Sequence, residues 1–358
     1  MRSAVDWATL ILGAGPAFEV KTTEPQSEIP TTAIIDSLRG LGLIDALADV
    51  CLRPLTGGVS SDILLVETGG RRFCVKRALP RLKVAALWEA PVGRNSAEAL
   101  WLGTVATWLP DCVPAVLGQD EAAGVLAMAY LEPERFPVWK AELLAGRTDA
   151  AFAGVVGDRL GIIHSKSTKR SDLAAAFAND TTFEAIRLEP YLRATGARHA
   201  DLAARLNGLA DRTAATRLAM VHGDVSPKNI LHGPEEPVFL DAECAWWGDP
   251  AFDLAFCLNH FLLKAIHRPA DREGYLACFA SMAGAYRRHV DWEDPAALDA
   301  RTASLLPALL LARVDGKSPV EYLVDEAKQQ AVRMAARHLL QHPVDAPMAI
   351  LPLWEQLT

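Results

Sequence analysis

The stretch Val221-His222-Gly223-Asp224-Val225-Ser226-Pro227-Lys228-Asn229, followed by Phe239-Leu240-Asp241-Ala242-Glu243, restricts this chain more than any other feature. Gly223 and Pro227 break the first stretch into a loop, so Asp224 and Asn229, five residues apart, can face one small volume. Ile230-Leu231-His232 and Val238-Phe239-Leu240 read as two short strands around the reversal Gly233-Pro234-Glu235-Glu236-Pro237. A hairpin returns its ends to one place, which brings Asp241 beside Asp224 and Asn229. Each piece alone is an ordinary turn or strand end; the order and spacing of the three are not.

A carboxylate that can take a proton, next to oxygen ligands for a divalent cation, is the equipment of phosphoryl transfer, where the transition state is stabilised mainly by position and charge. The pattern resembles that of the aminoglycoside phosphotransferase and choline kinase superfamily: His-Gly-Asp, Asn five residues on, then Asp-x-Asp or Asp-x-Glu. The resemblance covers most of the chain. It implies an α+β, two-lobed protein-kinase-like fold, with a small antiparallel-sheet N-lobe and a larger, mostly helical C-lobe. It implies Asp224 as catalytic base, Asn229 and Asp241 as ligands of Mg2+, and Glu243 as a second-metal or supporting carboxylate. His222 and Asp253 become braces of the loop.

The resemblance directs attention upstream for the nucleotide, ATP. Leu55-Thr56-Gly57-Gly58-Val59-Ser60-Ser61 is a glycine- and hydroxyl-rich turn before an apolar run, where backbone amides can approach phosphate, so Gly57, Gly58, Ser60 and Ser61 are candidates. The strand Arg72-Phe73-Cys74-Val75-Lys76 ends in a lysine able to reach phosphates. A kinase lysine is normally held by a helical glutamate. Glu98, in the capped helix start Asn95-Ser96-Ala97-Glu98, is the candidate and Glu89 the rival. The apolar run 124–131 leads into Glu132-Pro133-Glu134 and reads as the connector, placing Met128, Ala129, Tyr130 and Leu131 against the base.

The expected organisation is a lead-in over 1–30, an N-lobe over 31–128, a hinge over 129–134 and a C-lobe over 135–358. Helical spacing is read over 33–50, 152–164, 254–266, 275–290 and 324–340. His164 is expected to be a core histidine. The chain of 358 residues is 51% hydrophobic and 22% charged, as in ordinary globular proteins. Its net charge of −8 argues against a nucleic-acid partner. The six cysteines form no paired motif and read as reduced thiols. No apolar run is long enough for a membrane span, and the stretch 8–18 is broken by Gly and Pro, so a cytoplasmic address is expected. The reading leaves a homodimer open.

Within the superfamily the chain is most similar to the methylthioribose kinase branch, through Tyr130-Leu131-Glu132-Pro133, Glu243, and Ala245-Trp246-Trp247-Gly248-Asp249-Pro250. It departs from that branch in keeping Asn229 and in offering one arginine, Arg313, where paired substrate arginines are expected. Trp246, Trp247, Asn259, His260 and Arg313 are the candidate binders of a small-molecule hydroxyl acceptor, expected to be a neutral sugar or polyol. The alternatives are an aminoglycoside or choline-like amino alcohol, or a nucleotide-binding pseudokinase without turnover. A protein kinase is disfavoured by His-Gly-Asp and by Asp-Ala-Glu in place of Asp-Phe-Gly.

Overall fold

The computed structural model describes residues 31–55, 61–78 and 94–358. Helix α1 (Thr31–Gly40) precedes five strands: β1 (Cys51–Leu55), β2 (Ser61–Thr68), β3 (Arg71–Ala78), β4 (Val116–Asp120) and β5 (Val125–Ala129). They form one antiparallel sheet in the order β1-β2-β3-β5-β4. Helix α2 (Arg94–Ala106) lies between β3 and β4 in the chain.

Alternation along β3 sorts its side chains between two faces. Phe73 and Val75 join Ile34 and Leu38 of α1 in a small apolar core, whereas Cys74 and Lys76 face a cleft on the other side. The helix expected over 33–50 stops at Gly40 instead. Gly42 takes φ +69°, a left-handed conformation suited to glycine that turns the chain out of the helix.

After the connector the chain is mainly helical. Helices α3 (Trp139–Leu144), α4 (Ala150–Thr168), α5 (Pro250–His267), α6 (Arg272–Arg287), α7 (Pro295–Asp315) and α8 (Glu326–Gln341) build the larger lobe. Helix α5 starts sharply because Asp249 accepts a hydrogen bond from the Ala251 amide and Pro250 occupies the first turn. Every residue from Pro250 to Ile266 is buried, so α5 is the axis around which the lobe packs. Between α4 and α6 the backbones meet closely: a Cβ on Gly157 would lie 2.3 Å from the Met282 carbonyl oxygen.

Two small ribbons carry the motif. Strands β7 (Ile230–His232) and β8 (Pro237–Phe239) form the hairpin that the sequence implies. Strand β6 (Ala219–Val221) pairs with β9 (Trp246–Gly248), so the loops following His222 and Phe239 are held at both ends. No helix among the described residues is long and apolar enough to cross a membrane.

Candidate active site

Gly223 has φ +79°, and a Cβ there would lie 2.7 Å from the Cys244 carbonyl oxygen, so only glycine fits the turn into Asp224. Asp253, one turn into α5, accepts from the His222 amide at 2.7 Å and the Gly223 amide at 2.8 Å. His164, fully buried on α4, holds the same carboxylate at 3.2 Å and the Tyr286 hydroxyl at 2.6 Å. The Asp224 amide donates to His222 Nδ1 at 3.1 Å, so the ring proton sits on Nε2, which donates to the Leu240 carbonyl. Burial lowers the His222 pKa and keeps the ring neutral.

Asp224 is buried, and two cations meet its Oδ2: Arg187 Nη2 at 2.8 Å and Lys228 Nζ at 3.1 Å. Burial alone would raise its pKa, but Arg187 and then Lys228 outweigh it and hold the carboxyl below the ordinary range. The Asn229 amide nitrogen donates to the Asp224 carbonyl at 3.1 Å, which orients its oxygen away from that bond.

The hairpin then delivers Asp241, which takes φ +65°, the only positive φ outside glycine among the described residues. Backbone held in that region costs energy and persists only where its surroundings enforce it. Here the carboxylate bonds Lys76, which also pairs with Glu98 at 2.6 Å. Burial opposes all three charges. Lys76 nevertheless holds Asp241 below the carboxylate range, and Asp241 and Glu98 raise Lys76. Glu98 is pushed up to about 7, chiefly by burial. Asn95, beside Glu98's turn of α2, donates to the Lys76 carbonyl at 3.2 Å and the Gly124 carbonyl at 2.7 Å, tying the helix to the sheet.

Ser61, Lys76, Glu98, Lys228, Asn229 and Asp241 line the polar end of a cleft of about 210 Å³, and Asp224 adjoins it through Lys228. Met128, Ala129, Tyr130 and Leu131 line the apolar part. The Ala129 amide already donates to the Ala115 carbonyl at 2.9 Å, so that donor is not available to a base. Gly57, Gly58, Ser60 and Glu89 lie outside the described residues.

Several expectations fail on geometry. Glu243 is not among the residues lining the cleft; it faces the buried Arg94 at 3.3 Å while its charge still acts on Lys76 and Glu98, which fits the supporting form of the expectation rather than a direct metal ligand. Trp246 is a core residue, stacked on Phe183 at 4.2 Å with its Nε1 on Asp180 at 2.6 Å. Pairing of β9 with β6 turns it into the lobe. Trp247 packs against the same core, and its amide donates to the Phe177 carbonyl. Asn259 is fully buried and bonds the Phe256 carbonyl of its own helix. His260 and Arg313 are a different case: neither lines this cleft, and both lie in the larger lobe within electrostatic reach of Lys264 and Lys140.

Arg187 was not legible as a site residue. It comes from a π-helical segment, Glu184–Arg193, that contains Pro190, and π-helical turns are frequent at functional sites. Besides Asp224 it bonds the Gly223 carbonyl through Nε. No pattern in the surrounding residues marks it.

A small antiparallel sheet set against a larger helical lobe, with the Lys76, Asp224 and Asp241 region between them, defines the two-lobed kinase-like class. The chain belongs to the phosphotransferase enzyme family, whose model matches residues 52–289. Over 261 residues it is 23% identical to a methylthioribose kinase of Bacillus cereus (strain G9842), covering 66% of each chain, just under two thirds of that relative's length. Among solved structures it is similar to the choline kinase of Cryptosporidium parvum Iowa II, with a TM-score of 0.54 and 11% identity, over 91% of this chain and 99% of that one. It is also similar to an amicoumacin kinase in complex with AMP-PNP, Ca2+ and Ami, with a TM-score of 0.52 and 13% identity, over 86% and 92% of the two chains. At these identities the two structures establish the fold.

Proposed function

We propose that the protein transfers the terminal phosphoryl group of ATP to a hydroxyl of a small, sugar-like molecule. The observation that carries this reading is the placement of Asn229, Asp241 and the Lys76–Glu98 pair in one cleft, with Asp224 joined to it through Lys228, itself a lining residue. The curated relatives, named methylthioribose kinases, support a sugar-like acceptor.

Asp224 accepts the hydroxyl proton and orients the attacking oxygen; its carboxylate is ionised at neutral pH because Arg187 and Lys228 hold it so. Lys76, fixed by Glu98, holds nucleotide phosphate. Tyr130 and Leu131 flank the base beyond the end of β5. One carboxylate and one amide oxygen bordering the phosphate end of a cleft suit Mg2+, which usually takes one or two protein oxygens and completes its shell with phosphates and water. Asp241 and Asn229 would hold it, and it would neutralise charge on the phosphates. The Asp241–Lys76 bond supplies the countercharge before nucleotide arrives.

Replacing Asp224→Asn tests the base. Transfer, followed as ADP release with Mg–ATP and a panel of hydroxyl compounds, should fall by about 10²–10⁴-fold while ATP affinity, read by calorimetry, is retained. Transfer at the wild-type rate would remove the assignment.

A further inference from the structure

The larger lobe collects cations that phosphoryl transfer itself does not use. Lys264, on α5, is fully buried, and its ammonium has no hydrogen-bond acceptor. It sits 4.9 Å from the centre of the Tyr322 ring, whose hydroxyl is likewise buried without a partner. One turn earlier on α5, His260 is buried with Nδ1 unpartnered. Arg313, on α7, donates through Nη1 to the Ser318 carbonyl and hydroxyl and approaches the Tyr191 hydroxyl at 3.3 Å, while its buried Nε has no partner; the guanidinium lies 5.8 Å from the Tyr191 ring centre. Among the described residues no carboxylate lies within ion-pair distance of Lys264 or Arg313. Lys140, on α3, has Glu321 at 2.6 Å.

His260 and Lys264 lie one turn apart on α5, and Lys264 meets Tyr322 while Arg313 meets Tyr191. After burial, the groups that disfavour a charge on His260 are Lys264, Arg313, Lys140 and Lys228, in that order. The charges of four cations thus bear on one imidazole, and the carboxylate paired with one of them, Lys140, is Glu321. Lys228 joins the cluster to the reaction centre, since its Nζ is 3.1 Å from Asp224 Oδ2. Tyr191 makes a second link: Arg313 and Arg187 both lie within 6 Å of its ring centre, at 5.8 and 5.9 Å, and Arg187 holds Asp224.

A buried ammonium without a counterion is unfavourable, and so are unpaired buried donors. Burial, then repulsion from Lys140, brings Lys264 down to about 7, and an anion beside it would restore its charge. The unpartnered Lys264 ammonium, Tyr322 hydroxyl and Arg313 Nε, linked through Tyr191 and Lys228 to the proton-accepting carboxylate, have the chemistry of a seat for an acid group. A polycationic aminoglycoside or a choline-like ammonium would meet like charge there.

We propose that Lys264, His260, Tyr322 and Arg313 seat an anionic group, a carboxylate or a phosphate, of the same acceptor whose hydroxyl meets Asp224. The acceptor class is then a sugar acid, hydroxy acid or sugar phosphate, and the neutral sugar expected from the sequence is revised accordingly. This inference rests on the phosphotransferase reading.

The test is made on the full chain saturated with Mg–AMP-PNP, whose binding is first checked by calorimetry. Gluconate, inorganic phosphate and sorbitol are each added, and the melting temperature is followed in wild type, Lys264→Met and Arg313→Gln. Gluconate or phosphate should stabilise wild type in a saturable way, sorbitol should not, and both variants should lose at least tenfold in the affinity of that anion. The two anions tell a carboxylate seat from a phosphate seat. With Mg–ATP, gluconate against sorbitol and ribose 5-phosphate against ribose then compare turnover, and any member turned over should favour the anionic partner at least tenfold in kcat/KM. No stabilisation by either anion, equal stabilisation in the variants, or preference for the neutral partner overturns the proposal. Failure of wild type to bind Mg–AMP-PNP would instead overturn the kinase reading, which separates the two.

Discussion

Arg187→Met is the perturbation that most sharply separates positioning from simple packing at this site. The guanidinium is buried and spans Asp224 Oδ2 at 2.8 Å, the Gly223 carbonyl and the Ile186 carbonyl at 2.6 Å, while lying 5.9 Å from the ring centres of Tyr191 and Phe256. Methionine keeps much of the apolar stem and removes the charge. Removing one partner of a buried ion pair costs about 3–5 kcal/mol, and the low end applies because Lys228 stays on Asp224. An unfolding entropy of roughly 2.1 cal/mol/K per residue makes about 3 kcal/mol worth a fall of about 4 °C for a chain of this length. Arg187 is the largest of the influences that lower Asp224, so its loss raises that pKa and moves the acid limb of kcat/KM to higher pH. A freed carboxylate also loses position, and kcat should drop about tenfold or more, part of the general-base contribution. Arg187→Lys, which keeps charge but cannot span Asp224 and Gly223 together, should fall between. Differential scanning fluorimetry and a pH profile of kcat/KM read both effects. A melting temperature within about 1 °C of wild type together with an unmoved acid limb would refute the positioning role.

Glu98→Gln addresses the pH dependence of the nucleotide-free protein. A carboxyl whose folded pKa is raised from 4.5 to about 7 favours the folded state below the lower value, and that contribution is lost as pH rises through the upper one. Melting temperatures of wild type measured across that window should carry this decline, and the glutamine variant should lack it; the same slope in both would contradict the assignment. Gly157→Ala tests the close approach of α4 and α6. A Cβ 2.3 Å from the Met282 carbonyl oxygen must push two helices apart, at a net cost of about 1–3 kcal/mol even after alanine's better helix propensity. Thermal unfolding should report a lower midpoint, whereas an unchanged midpoint would mean the helices separate freely.

The reaction centre could be read from sequence where local chain geometry alone creates it. Asp224, Asn229 and Asp241 lie within one loop and the hairpin that follows, so spacing and turn residues suffice to bring them together. The Lys76–Glu98 pairing is indicated by the resemblance to kinases, in which a helical glutamate holds the lysine, because the residues themselves leave Glu98 and Glu89 both eligible. Arg187, Arg94 and Lys264 could not be anticipated, because each reaches its place through packing of elements far apart in the chain. Trp246 shows the converse. Its sequence neighbourhood suggested a cleft wall, but the three-residue pairing of β9 with β6 was not foreseen, and that pairing decides which way the indole points. The helix expected over 33–50 was overextended because its apolar spacing continues past Gly40 and Gly42, where the backbone turns away.

Calorimetry of ATP binding, with and without Mg2+, to wild type and to Asp241→Ala tests the central claim most directly, and it needs no knowledge of the acceptor. The account predicts that Mg2+ tightens ATP binding to wild type and that the variant loses this Mg-dependent gain. ATP binding equally tight with and without Mg2+ in wild type, or a gain that survives in Asp241→Ala, would contradict it.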